Sequence, residues 1–219
     1  MKYFVVLVLG FLTGVGAGLG GLYYNPLTRE SGFTLTSTDQ SLNYESPITA
    51  GLVFTHGGLS RLPTHPASVP ELWEATLNKT ALSVLALAGA DGEPRAVASR
   101  ISLLSERTEL LTGGALLRDN WLVSVPGEGS LVITADANWW PFLRETLIPV
   151  WYFGREWRGP SGYAPTAGPA AGGAALLRGV SGAYAGRSGV AAERYQIEAF
   201  DQRVGPGKAS AELAWQFAQ

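Results

Sequence analysis

The chain contains no cysteine, which excludes disulfides, thiol nucleophiles, thiolate metal sites, c-type haem attachment and lipid attachment through an N-terminal cysteine. Charge is scarce as well: 16% of residues are Asp, Glu, Lys or Arg, against roughly 25% in ordinary soluble domains. The 16 basic and 18 acidic residues leave a net charge of −2 and never gather into a Lys/Arg block. The electrostatic footprint of a nucleic-acid binder is therefore missing. Histidine is confined to His56 and His65, set in a Gly- and Pro-rich stretch without the spacing of a zinc site.

Catalytic motifs are absent in the same way. His56-Gly57-Gly58 has the form of a lipase oxyanion loop, but no G-x-S-x-G nucleophile elbow accompanies it. The pairs Gly113-Gly114 and Gly172-Gly173 lack the Lys and the strand-to-helix setting of a phosphate loop or dinucleotide fingerprint. Glu71 with Glu74, and Glu106 with Glu109, read as solvated faces. Asn78-Lys79-Thr80 fits a glycosylation acceptor, a triplet too common to inform. No catalytic residue, cofactor or metal ligand is assigned.

What the chain does have is one long apolar run. From Tyr3 to Tyr24 every residue is apolar, Gly, Thr or Tyr. A helix of about 22 residues is ~33 Å long, enough to cross a hydrocarbon core of ~30 Å. With Lys2 before it and Arg29 the first charge after it, the positive-inside rule puts the start inside and the rest outside. Tyr23 and Tyr24 suit the headgroup level, and Asn25-Pro26 ends the helix. Gly10, Gly14 and Gly18 recur every fourth residue, a stripe along which a second helix can pack closely. Residues 1–28 are thus expected to be an uncleaved signal-anchor; the alternative is a secretory signal cut after the small pair Gly16 and Gly18.

Residues 29–219 suit one extracytoplasmic, periplasmic domain. Gly32 to Thr38 and Ile48 to Thr55 are expected strands, and Ser68 with Glu71 opens a short helix ending near Lys79 that covers one end of the sheet. Ala81–Ala88 and Arg95–Leu104 flank the turn Ala90-Asp91-Gly92-Glu93-Pro94, and Trp121–Val125 and Ser130–Ala135 flank Pro126-Gly127-Glu128-Gly129, giving two hairpins. Residues 159–173 are Pro, Gly and Ala without period and read as a flexible surface loop. Three further strands follow, over Ala175–Ala185, Glu193–Phe200 and Ala209–Phe217. The fold class is mainly β: an antiparallel barrel or sandwich with a short covering helix, preceded by one transmembrane helix.

The string Gly179-Val180-Ser181-Gly182-Ala183-Tyr184-Ala185-Gly186-Arg187-Ser188-Gly189, followed by two alternating strands, resembles the closing strands of allene oxide cyclase and dirigent-like barrels. The resemblance covers about forty C-terminal residues. It implies an eight-stranded antiparallel barrel whose interior holds a hydrophobic small molecule, some members being cyclases. It carries over no catalytic residue, and a membrane anchor is not typical of that family.

The densest local feature is aromatic. Trp139, Trp140, Phe142, Trp151, Tyr152, Phe153 and Trp157 fall between residues 138 and 158. Asn138 is placed to cap a short helix with Pro141 in its first turn, and Pro149 is expected to end or kink it. Three readings stay open: the rings pack in the core, they meet the membrane or a partner subunit, or they line a small-molecule pocket. Together these features point to a non-enzymatic, membrane-anchored accessory or assembly subunit, with lipid and other membrane subunits as partners and the N-terminal helix as the packing element. The alternative is a barrel that binds a hydrophobic ligand or lipid, with cyclase-like activity in prospect.

Overall fold

The computed structural model describes residues 2–24, 32–45, 52–55, 80–105, 107–108, 114–154, 156–201 and 205–218. The expected helix over 68–79, both histidines and Asn78-Lys79 lie outside the described residues.

The apolar run forms one helix, α1 (Lys2–Tyr23). Its window Lys2–Gly21 is long and apolar enough to cross a membrane, and none of it is buried by the rest of the chain. Ten strands follow: β1 (Gln40–Glu45), β2 (Leu52–Thr55), β3 (Thr80–Ala88), β4 (Pro94–Leu104), β5 (Leu116–Val125), β6 (Gly129–Asn138), β7 (Trp157–Tyr163), β8 (Ala175–Gly182), β9 (Ser188–Asp201) and β10 (Gly205–Phe217). All pairings are antiparallel and run in the order β1-β10-β9-β8-β6-β5-β4-β3-β2. Asn43 of β1 also pairs with Ala88 of β3, which closes eight of the strands into a barrel-like ring and leaves β2 and β7 outside it. The fold is the mainly β architecture expected.

Alternation assigns the two faces. Along β9, Ala191, Glu193, Tyr195 and Ile197 are buried while Arg194, Gln196 and Glu198 face out. The interior is filled by Leu42, Leu87, Trp121, Val123, Leu131, Ile133, Leu213 and Trp215. A fully buried side chain of this kind contributes roughly 1.5–3 kcal/mol.

Both expected hairpins form, with Val125 pairing Gly129 at one turn and Ala88 pairing Pro94 at the other. Glycine is decisive at the β8–β9 corner. A Cβ on Gly179 would meet the Tyr184 carbonyl oxygen at 1.7 Å, and one on Gly129 would meet that of Ser181 at 2.1 Å. The β6–β8 register slips between Ser130 and Leu131, bulging Val180 outward.

Three expectations need correction. Residues 33–39 form no strand; Asp39 and Phe33 instead bond Trp215 and Thr166 through their backbone N–H groups. The loop expected over 159–173 is strand in its first part, β7 pairing with the far half of β9 as far as Tyr163, while 164–173 stays outside the strands but is tied to β6, where Asp136 and Asn138 donate backbone N–H groups to the carbonyls of Gly168 and Pro165. Lack of hydrophobic period hid this, because Gly and Ala there make backbone bonds without filling a core. Pro149 does not end its helix. The segment α2 runs through Trp140–Phe142, a π-helical stretch Leu143–Leu147 and Ile148–Phe153, stopping at left-handed Gly154 (φ 62°). The wider π turn precedes the proline, where its ring and missing N–H would otherwise break the ladder.

Candidate functional site

Inside the ring β4 turns an arginine inward. Arg100 follows Ala96 and Ala98 on the buried face, while Val97, Ile101 and Leu103 are exposed. Its Nη2 donates to Asp119 Oδ2 at 2.6 Å and its Nη1 to Glu193 Oε1 at 3.2 Å, and the Tyr44 hydroxyl donates to the same Glu193 oxygen. The guanidinium carbon lies 4.9 Å from the centre of the Trp121 ring, which packs edge-on against Tyr44. All of these side chains are buried.

Burial pushes the Glu193 carboxyl above its ordinary value, helped by Asp119 and opposed by Arg100. Burial likewise raises the Tyr44 phenol, with the Glu193 charge adding to it. It would pull the Arg100 guanidinium down, but Asp119 and Glu193 outweigh it and hold the group well above its usual range. Two buried atoms of the cluster, Arg100 Nε and Asp119 Oδ1, have no hydrogen-bond partner among the described residues. Burial and the nearby Asp119 favour a proton on Glu193 against the pull of Arg100, but among the described residues the cluster presents no nucleophile beside a base.

A third buried carboxylate, Asp136, ties the wall together. Its Oδ1 accepts from Arg118 Nε at 2.5 Å and its Oδ2 from Arg107 Nη1 at 3.0 Å, under the 165–168 segment.

The aromatic segment caps the barrel end where β6 finishes. Asn138 Oδ1 accepts the Trp140 backbone N–H at 3.0 Å, fixing the entry to α2. Trp140 is buried, and Trp139 is half-buried with its ring edge-on to Phe142 and Tyr195 at 5.9 and 5.4 Å. Phe142 meets Tyr163 and Phe200 at 5.8 and 5.7 Å, and Trp157 packs on the same core. Tyr152, by contrast, is 76% exposed. The side chains of Trp151 and Phe153 lie outside the described residues. Three of the seven predicted aromatic residues, Trp139, Phe142 and Trp157, therefore come together on the barrel end, while Trp140 is buried beside Trp139 in the chain and Tyr152 is exposed.

The same end meets α1. The Tyr23 hydroxyl donates to the Arg144 carbonyl of α2 at 3.1 Å, so α1 leaves the domain beside the aromatic cap. Gly10, Gly14 and Gly18 stay bare: a Cβ at each meets nothing within 4 Å.

The outer wall of the barrel departs from the usual polar surface. Register sets Val84, Ser99, Leu122 and Val132 in one row, Leu82, Ile101, Asn120, Thr134 and Leu176 in the next, and Ala86, Val97, Ser124 and Ser130 in a third. On β3 to β6 these rows carry no charge, although the first continues onto β8 at the exposed Arg178, and Val84 and Leu122 are 52% and 45% exposed. Two recesses interrupt the surface elsewhere. One of about 460 Å³ lies among Asn43, Arg194, Gln196, Ser210 and Glu212. Another of about 520 Å³ opens at the barrel end opposite α2.

The sequence matches no known protein family and no curated relative. The reading of function accordingly rests on these surfaces. Sequence reasoning missed the Arg100 cluster, since a charged residue in an alternating strand reads as solvent-facing. The signal available was parity: Arg100 shares its face with Ala96 and Ala98, and the larger aliphatics occupy the other.

Proposed function

We propose that the protein is a membrane-anchored accessory subunit of a larger membrane complex, non-enzymatic, with its barrel on the extracytoplasmic side. The observation that carries this reading is an apolar stretch of outer wall running from β3 to β8, where five exposed aliphatic residues, Val84, Val97, Ile101, Leu122 and Leu176, fall in three adjoining register rows bordered by Arg95, Arg118 and Arg178. A contiguous apolar patch of this kind marks an interaction surface. Two features support the membrane setting. An apolar α1 whose span is not buried among the described residues suits a surrounding of lipid or another helix, and the Tyr23–Arg144 hydrogen bond holds the barrel against the end of that helix.

The experiment is gentle detergent extraction followed by native mass measurement. The expected species is heavier than the 23.2 kDa chain and contains other subunits. The pair Leu122→Lys and Ile101→Glu, both at exposed positions, releases the chain without unfolding it, and Gly14→Leu weakens the association further. A lone chain, or a complex indifferent to all three substitutions, overturns the reading.

The alternative, a barrel enclosing a hydrophobic small molecule, draws support from the eight-strand ring. It is less favoured because Trp121, Trp215, Leu87 and the Arg100 cluster already occupy the interior, so a ligand would have to displace them. Retention of a ligand in lipid extracts of the purified protein would restore it.

A further inference from the structure

The barrel end opposite α2 is formed by the turns after β3 and β5 and by the start of β1. Its recess of about 520 Å³ has Leu42, Val125 and Pro126 on its apolar side and Gln40, Asp91, Arg95 and Glu128 around it. Mouths of β-barrels are recurrent ligand sites when a few polar groups converge on an apolar floor.

The charges in this recess do not balance. Arg95 Nη2 is held by Asp91 Oδ2 at 2.6 Å, so these two neutralise one another. Glu128 has no ion-pair partner among the described residues. Its donors are neutral: the Tyr184 hydroxyl and, at 3.0 Å, Gln40 Nε2. Both reach Oε2, and among the described residues Oε1 accepts no hydrogen bond.

The carboxylate is also fixed in place. The Glu128 backbone N–H donates to the Val125 carbonyl at 3.1 Å, and its own carbonyl accepts the Ala183 N–H at 2.6 Å. Tyr184 is buried against Phe217, its ring stacked at 5.5 Å, with Arg187 on the Phe217 ring at 3.8 Å. The Tyr184 hydrogen bond, then that of Gln40, holds the Glu128 carboxyl below its usual range. Burial first, then Glu128, pushes the Tyr184 phenol up to about 12, so it remains a donor at neutral pH. The result is a preorganised anion with one open oxygen above an apolar floor.

We propose that this mouth binds a small organic cation with an apolar body, its ammonium group on Glu128 Oε1 and its hydrocarbon part against Leu42 and Val125. The inference is independent of the accessory-subunit reading, which uses the outer wall and α1.

The test titrates the full chain in detergent micelles with phenethylammonium, following the Gln40 side-chain amide by NMR. Parallel titrations use methylammonium, 2-phenylethanol and 3-phenylpropionate. Saturable shifts are expected with phenethylammonium, at about tenfold lower concentration than with any of the other three. Glu128→Gln, which still accepts from Tyr184, weakens the ammonium about tenfold and leaves the alcohol unchanged. Ala90→Trp, at an exposed lining position, blocks the recess and abolishes binding while leaving the fold intact. Unsaturable shifts with phenethylammonium, equal binding of the alcohol or the carboxylate, or indifference to Glu128→Gln each overturn the proposal.

Discussion

Arg100 and Asp119 are diagonal neighbours on β4 and β5 whose ion pair, 2.6 Å between Nη2 and Oδ2, is shut away from solvent on both sides. Glu193 completes the cluster from β9, so one arginine joins strands that are far apart in the chain. Two carboxylates and one guanidinium in a barrel core carry a large desolvation cost, offset only by mutual attraction and hydrogen bonds.

Removing one partner should therefore be far worse than removing all. Asp119→Ala is expected to cost about 3–5 kcal/mol in urea unfolding, because Arg100 is left buried with a weaker counter-charge. Replacing Arg100, Asp119, Glu193 and Tyr44 together by Met, Leu, Leu and Phe, so that no buried donor is left without its acceptor, is expected to be neutral or stabilising by ~1–4 kcal/mol. A single substitution that costs under ~1 kcal/mol would contradict the buried pairing.

The raised Glu193 carboxyl gives the fold a pH signature. Its folded value lies above the ordinary 4.5, so the folded state holds this proton more tightly than the unfolded chain. The associated stability is fully present below 4.5 and is lost as pH rises through the folded value. Glu193→Gln lacks the titration. The urea midpoint of the natural chain relative to that variant is expected to fall as pH is raised from 4 toward neutrality; a difference that is flat or rises would reverse the sign argued here.

Much of this barrel was legible because strand faces alternate and turns carry their own chemistry. Arg194, Gln196 and Glu198 against Tyr195 and Ile197 gave the inside and outside of β9, and Pro126-Gly127-Glu128-Gly129 gave a hairpin. The candidate sites were less legible. In β4 the usual rule is inverted, with Arg100 inside and Val97, Ile101 and Leu103 outside, and only pairing with Asp119 and Glu193 makes that arrangement tolerable. Those partners are 19 and 93 residues away in sequence, beyond any local pattern. Likewise β7 contains Gly159, Pro160 and Gly162, which signal a loop, and owes its strand conformation to the exposed edge of β9.

The β8–β9 corner tests whether close backbone approach, not turn conformation alone, requires glycine. Gly179→Ala places a methyl group 1.7 Å from the Tyr184 carbonyl oxygen, so the corner has to open. The expected loss is more than ~3 kcal/mol, in the range reserved for severe steric strain. Gly186→Ala meets nothing within 4 Å and suffers only from its φ of 75°, for which about 1 kcal/mol is expected. Thermal unfolding of the two variants separates the effects, and equal losses would mean that backbone contact plays no part.

The aromatic segment separates into two roles that one pair of variants distinguishes. Phe142 is wedged edge-on between Tyr163 and Phe200, so Phe142→Ala opens a void under α2 and is expected to cost about 2–3 kcal/mol in urea unfolding. Tyr152 stands 76% exposed on the same helix, and Tyr152→Ser is expected to leave stability within ~0.5 kcal/mol. If the cap faces the bilayer, as the Tyr23 contact with Arg144 requires when α1 is embedded, the Tyr152 ring sits where water gives way to headgroups. Fluorescence quenching of the tryptophans by doxyl-labelled lipid in reconstituted vesicles then reports how close the cap lies to the membrane. Tyr152→Ser is expected to reduce that quenching while the urea midpoint stays put. Unchanged quenching would remove Tyr152 from the membrane surface and leave the segment as a barrel plug alone.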